Sequence, residues 1–311
     1  MLPEEKTLQS VNLKDWLSET ELSAIRSRTN YHGFLMIGFD WMIIAAVFVL
    51  LGSYPNPLTI IAGVFVLGAR QLGFGVLVHE CGHHILFKNP ALNRFCGNWL
   101  AGYAIFSNMQ AYARGHLKHH QLAGTHQDPD LPNYQDYPIP RSRFRRKVLR
   151  DLTGQVGYRR IKSIVKAFAS FSRLDSSNRQ YLLRSLGVNL LLLTILMLFD
   201  AAWLYLLWLA AFMTTHMLVS RIRQIGEHGA VPDLYSPDPR KNTRTVLASP
   251  LERLLIAPHG VSYHLEHHLN ASVPIYRLEK LHKLLKKKGF YDNTHFPKGY
   301  GQMLKEVTLA G

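Results

Sequence analysis

The sequence predicts an all-α integral membrane protein, with four transmembrane helices in two hairpins and a cytoplasmic helical cap that holds a histidine-rich dimetal site. Three observations predict it. Apolar runs long enough to span a bilayer are joined in pairs by short turns. Histidines recur in three clusters at helical spacing. The long basic segments all fall on one side of the predicted spans. The 311 residues carry a formal net charge of +15, which suits either nucleic acid or an anionic membrane surface. Because the basic stretches flank apolar runs, the membrane is the expected partner and nucleic acid is not. The two cysteines, Cys81 and Cys96, supply neither a disulfide framework nor a thiolate metal site.

The chain reads as a single domain, residues 1–311. Residues 1–31 form a polar cytoplasmic segment, amphipathic around Leu13, Trp16, Leu17 and Leu22, and the opening Met1-Leu2-Pro3-Glu4-Glu5 is no signal peptide. A first span is expected at about 34–53. Tyr54-Pro55-Asn56-Pro57 makes the turn, and a second span at about 58–78 ends on the first histidine cluster. Each span carries one charge, Asp40 and Arg70, about 15 residues from Pro55 on either side. Two charges at one depth in hydrocarbon are costly unless paired, so their side chains are expected within roughly 6 Å of each other. Arg70 and Gln71 are also candidates to line a substrate site.

Residues 90–112 are apolar but broken by Asn93, Arg94, Asn98 and Asn108, which predicts a shallow or re-entrant segment. From Arg114 to Arg184 the chain is basic, with Arg141, Arg143, Arg145, Arg146, Lys147 and Arg150 in one patch suited to lipid headgroups. The apolar run 186–218 would be about 50 Å long as one helix, too long for a single span. A turn at Asp200 divides it into spans at about 184–199 and 202–219, and His216 late in the run reads as a packed residue. The cap then comprises 80–183 and 221–311. In its last part Leu278, Leu281, Leu284 and Leu285 form a helical stripe backed by Lys286, Lys287 and Lys288, expected to dock as a surface helix. Neither external turn carries a positive charge, which places both termini and all the histidine clusters in the cytoplasm.

The clusters are His79-Glu80-Cys81-Gly82-His83-His84, His116-Leu117-Lys118-His119-His120 and His264-Leu265-Glu266-His267-His268. Spacings of three and four residues put imidazoles on one helix face. So many imidazoles exceed what one four-coordinate ion needs and suit two. A donor set of imidazole without thiolate suits iron, copper or zinc, and two histidine-bound irons are a device for activating oxygen. His228 and His259 lie near the same face. Metal-bound histidines give their outer N–H to a carboxylate or carbonyl, and Glu80, Asp128, Glu227 and Glu266 (with Asp130) are the candidates for that role. One rival is direct: His79-Glu80-Cys81-Gly82-His83 matches the H-E-x-x-H signature of zinc proteases, which at the end of a span would mean an intramembrane metalloprotease. It leaves two clusters without a task and lacks an Asp-Gly pair for the third ligand. A non-enzymatic receptor or metal carrier would need fewer ligands still.

Taken together these boxes resemble the membrane-bound fatty acid desaturase superfamily, the histidine-box diiron enzymes, and its bacterial acyl desaturases in particular. The family pattern H-x(3,4)-H, H-x(2,3)-H-H and H-x(2,3)-H-H is met at His79 to His83, His116 to His120 and His264 to His268. Gly124-Thr125-His126-Gln127-Asp128-Pro129-Asp130, Arg221 to His228, Asn242-Thr243-Arg244-Thr245 and Val273-Pro274 with Leu278 and Leu281-His282 extend the likeness. The resemblance implies two iron ions held by His79, His83, His116, His119, His120, His228, His264, His267 and His268, with His84 and His259 as weaker candidates. No other acid or base is assigned, so the diiron centre itself is the catalytic group. It implies an O2-dependent oxidoreductase of the bacterial inner membrane, acting on an unactivated C–H of a lipid or fatty acyl chain. No His-Pro-Gly-Gly motif of a fused cytochrome b5 occurs, so electrons are expected from a separate ferredoxin, rubredoxin or cytochrome b5 type donor. Introduction of a double bond is the first expectation. Hydroxylation or ketolation of a lipid or carotenoid and oxidative decarboxylation are the alternatives on the same scaffold.

Overall fold

A computed structural model describes residues 11–309 of the chain. Among them helices dominate, and the only strand pairing is a parallel two-residue contact of Ile139–Pro140 with Thr308–Leu309. In order, the helices are α1 (Glu19–Arg26), α2 (Tyr31–Ser53), α3 (Pro57–Gly82), α4 (Pro90–Phe95) and α5 (Met109–Leu122). Then follow α6 (Arg141–Leu152), α7 (Gln155–Ala169), α8 (Ser176–Leu198), α9 (Leu204–Met213) and α10 (Thr215–His228). The last are α11 (Pro239–Asn242), α12 (Pro250–Leu255), α13 (His264–Leu269), α14 (Ile275–Lys287) and α15 (Tyr300–Glu306).

Four helical stretches are long and apolar enough to cross a membrane: Glu19–Ser53, Pro57–Gly82, Ser176–Leu198 and Leu204–His228. Local chemistry sets their ends. Asn56 caps α3 through Leu58 and Thr59 N–H groups, with Pro57 preset at the first helical position. Asp175 accepts from the Asn178 N–H, so α8 starts at Ser176, well before the apolar run begins. Asp200 takes a left-handed turn at φ 54° and separates α8 from α9. The fourth stretch is broken at Thr214, whose φ and ψ of −121° and −85° are not helical, and it continues past residue 219 to deliver His228. The interrupted segment after residue 90 is a short helix that widens into a π-turn at Cys96–Gly102 and tightens at Tyr103–Ile105. Two of its asparagines are anchored to backbone: Asn93 bonds both backbone groups of Phe87, and Asn98 donates to the Arg94 carbonyl.

The centre of the fold is α3, which packs against α2, α5, α9, α10 and the π-turn. The two span charges do face each other: Arg70 Nη1 donates to Asp40 Oδ1 at 2.7 Å, with both side chains buried. Gly73 makes room for this, since a Cβ there would lie 2.5 Å from Asp40 Oδ2. His259 Nε2 bonds that same oxygen at 2.8 Å, and Arg70 Nη2 donates to the Leu254 carbonyl. One ion cluster therefore ties α2 and α3 to the cap. Gln71 is equally buried and donates to the Trp208 carbonyl on α9. The leucine stripe of α14 packs inward through Leu278, Leu281 and Leu285, and its last turn is held to α1 by Lys288 and Glu21 at 2.7 Å.

Removing one member of a buried ion pair strands the other charge, at a cost of about 3–5 kcal/mol. Asp40→Ala should therefore lower the thermal midpoint in detergent strongly. The double variant Asp40→Leu with Arg70→Met should recover most of the loss. A double variant no more stable than either single one would refute a pairing role.

Candidate metal centre

Four helices bring the histidines together. His79 sits in the last turn of α3 and His83 caps it. His116, His119 and His120 share a face of α5, and Asn108 starts that helix by accepting from the Ala111 N–H. His228 ends α10, and α13 contributes His264, His267 and His268. The rings form two nests. His79, His83, His116, His120 and His267 offer ligand atoms within 4.8 Å of one another, and so do His119, His228, His264 and His268. All nine histidines singled out from the boxes and from His228 thus converge. The nests share a wall, with the rings of His120 and His268 4.4 Å apart.

The outer nitrogens decide what the inner ones can do. His79 Nδ1 bonds Glu80 at 3.0 Å and His119 Nδ1 bonds Asp128 at 2.8 Å. His228 Nδ1 donates to the Asn242 carbonyl at 3.0 Å, and His264 Nδ1 lies 3.5 Å from Glu227. A neutral imidazole that donates from Nδ1 presents a lone pair at Nε2. Yet His228 Nε2 and His264 Nε2 lie 3.0 Å apart, and His79 Nε2 and His116 Nε2 2.7 Å apart. Lone pairs facing at that distance repel unless a cation sits among them. Buried His83 Nε2 and His267 Nδ1 have no hydrogen-bond partner. Burial, then the neighbouring imidazoles, hold His116, His120, His264, His267 and His268 well below the ordinary histidine value. Burial, then His84, brings His83 down to about 4. These six rings are neutral at pH 7 and available to metal. The donor set fits two borderline divalent ions such as iron.

Not every expected residue arrives. His84 is exposed, with its carbonyl accepting from Arg28. His259 belongs to the Asp40 cluster. His216 is packed as expected, buried and stacked on Phe212 with ring centroids 5.5 Å apart. Glu266 touches no nest histidine: it accepts from His282 Nδ1 and the Tyr291 hydroxyl, each at 2.6 Å, and from the Thr245 hydroxyl. It thereby fastens α13 to α14 and the segment beyond. Glu80 stands behind its ring, with its second oxygen taken by the Ile275 N–H at 2.8 Å, so it does not face the nests as a protease base would. Supports that the sequence reading missed are the Asn242 carbonyl, the Tyr134 hydroxyl on Asp128, Arg223 on Glu227 at 2.9 Å, and Tyr112 stacked on His116. A backbone carbonyl leaves no mark in side-chain identity. Tyr134 has only its place six residues after Asp128 to signal it.

Comparison with known proteins places the chain in a family. The fatty acid desaturase family model matches residues 55–297. A dihydrorhizobitoxine desaturase of Bradyrhizobium elkanii is 27% identical over 282 residues, covering 85% of this chain and 78% of that protein.

Loss of an outer-nitrogen partner typically weakens a metal site about 10–100-fold. Glu80→Ala should do so for the five-histidine nest and leave the four-histidine nest unaffected, as read by titration of metal-free protein with Fe(II). Loss of activity at full metal content would instead favour a catalytic-base role for Glu80.

Proposed function

This chain belongs to the fatty acid desaturase family, and from that premise we propose that it is an O2-dependent diiron oxidoreductase that introduces a double bond into a lipid or fatty acyl chain. The observation that carries the reading is the pair of nests, in which nine imidazoles bring ligand atoms to two points of convergence. His79, His83, His116, His120 and His267 would hold one iron and His119, His228, His264 and His268 the other. When bound, the two irons supply the O2 activation that oxidation of an unactivated C–H requires. The protein's own residues fix the donors. Glu80, Asp128 and the Asn242 carbonyl keep the proton on the outer nitrogen of His79, His119 and His228. Glu227, neutralised in part by Arg223, stands behind His264.

The spans form two antiparallel hairpins with the nests and both termini on the cytoplasmic face, where the basic segments concentrate. A carrier of ferredoxin, rubredoxin or cytochrome b5 type supplies the electrons. Double-bond formation, rather than hydroxylation, is supported by the relative named as a desaturase.

Expression in a host lacking the gene, followed by mass spectrometry of its lipids, should show a product two mass units lighter than its precursor. His264→Ala should abolish it. A product heavier by one oxygen would make the enzyme a hydroxylase. No altered lipid from cells that hold iron-loaded protein would refute the reading.

A further inference from the structure

A cavity of about 450 Å³ lies where α2 and α3 meet the cap. Phe39 and Arg70 line it from the spans, and Arg253, Tyr263, Tyr276 and Glu279 from the cap. Its surroundings are amphipathic: Phe39 and nearby Leu251 on α12 are exposed, as residues meeting lipid would be. Its inner wall is one residue removed from the metal centre. Tyr263 directly precedes His264, and Ile275, another lining residue, gives its N–H to the carboxylate behind His79.

The polar groups here are not all used. Arg70 Nε is buried without a partner. Arg253 donates to the Ala248 carbonyl, to Glu279 at 2.9 Å and to the Tyr263 hydroxyl at 3.1 Å, which leaves two of its five N–H groups free. Glu279 is shared with Lys283 at 2.7 Å. Three cations, Arg70, Arg253 and Lys283, therefore stand against two carboxylates, Asp40 and Glu279. A mostly apolar cleft with a few convergent donors and one excess positive charge suits an amphiphile with an anionic end.

We propose that this cavity holds the oxyanion head, carboxylate or phosphate, of the lipid substrate, with Arg253 and Arg70 as its donors. The proposal rests on the lipid-oxidising reading above, since it names which end of that substrate is recognised. Glu279 competes with the head for Arg253, so the two residues act in opposite senses.

The test is equilibrium binding of radiolabelled palmitate, phosphatidylglycerol and hexadecanol to the full chain in nonionic detergent, with and without iron. Palmitate or phosphatidylglycerol should bind at least tenfold tighter than hexadecanol, and whichever binds tighter identifies the head as carboxylate or phosphate. Arg253→Gln should erase that preference, leaving hexadecanol unchanged, and Glu279→Gln should strengthen it. Equal binding of all three probes, or an Arg253→Gln variant that weakens all three alike, would overturn the proposal. If Arg253→Gln does not fold, Glu279→Gln decides, because unchanged binding there also overturns it. Binding is read without turnover, so failure here leaves the lipid-product test standing. Conversely, head-selective binding with no lipid product would sink the desaturase reading alone.

Discussion

The fold depends on a demand made by buried imidazoles: an inner nitrogen can show a lone pair only if the outer one has somewhere to place its proton. The elements around the nests answer that demand from different parts of the chain. Glu80 serves the ring beside it on α3, Asp128 reaches back nine residues to His119, and the Asn242 carbonyl reaches His228. Each partner is itself held, Glu80 by the Ile275 N–H and Asp128 by the Tyr134 hydroxyl and the Asp130 N–H. The inner nitrogens are then left crowded together in a dry place. A buried polar atom without a partner costs about 1–3 kcal/mol. Cations at the two points of convergence would offset that cost, so metal binding and the stability of the cap are coupled.

A second constraint joins the cap to the spans. Asp40 lies in α2 and is bonded by Arg70 of α3 and by His259 of the cap, while Arg70 also reaches the Leu254 carbonyl at the end of α12. A charge in an apolar span is tolerated when it is paired, and here the pair also carries information about position. It fixes the depth of the spans against the segment leading into α13. The histidines of α3 and those of α13 are thereby set in register from below, while Glu80 and Ile275 set them in register from above.

The sequence showed eight of the nine converging histidines because helical period puts them on common faces, and the ninth, His228, came from the family resemblance. It also showed the Asp40–Arg70 contact, because both charges stand at equal distance from one turn. It misled at Glu266 for the same geometric reason. At 100° per residue, 264, 267 and 268 cluster on one side of α13, and 266 falls roughly 200° from 264 on the opposite side. Nearness in sequence to three histidines made Glu266 look like their partner, and the helix turns it toward His282 and Tyr291 instead. His259 was unreadable for another reason. Its partner Asp40 is 219 residues away, and nothing in its neighbours announces a span charge. The exact helix starts and the π-turn likewise depend on caps and close packing that composition does not carry.

The two nests are unequal, and the difference lies in charge rather than number. The four-histidine nest has a carboxylate behind His119, a second and longer one behind His264, and a carbonyl behind His228. Among the described residues the five-histidine nest has one carboxylate, Glu80, and His267 keeps a buried Nδ1 with no partner. Carboxylates behind imidazoles raise their basicity and favour a more highly charged ion in front of them. Arg223 tempers this by pairing Glu227 at 2.9 Å. Two ions in these nests would therefore differ in electron affinity although the grouped donors among the described residues are all histidine nitrogens. The inequality arises in residues that touch no metal, in the loop after α5 and in the last turn of α10.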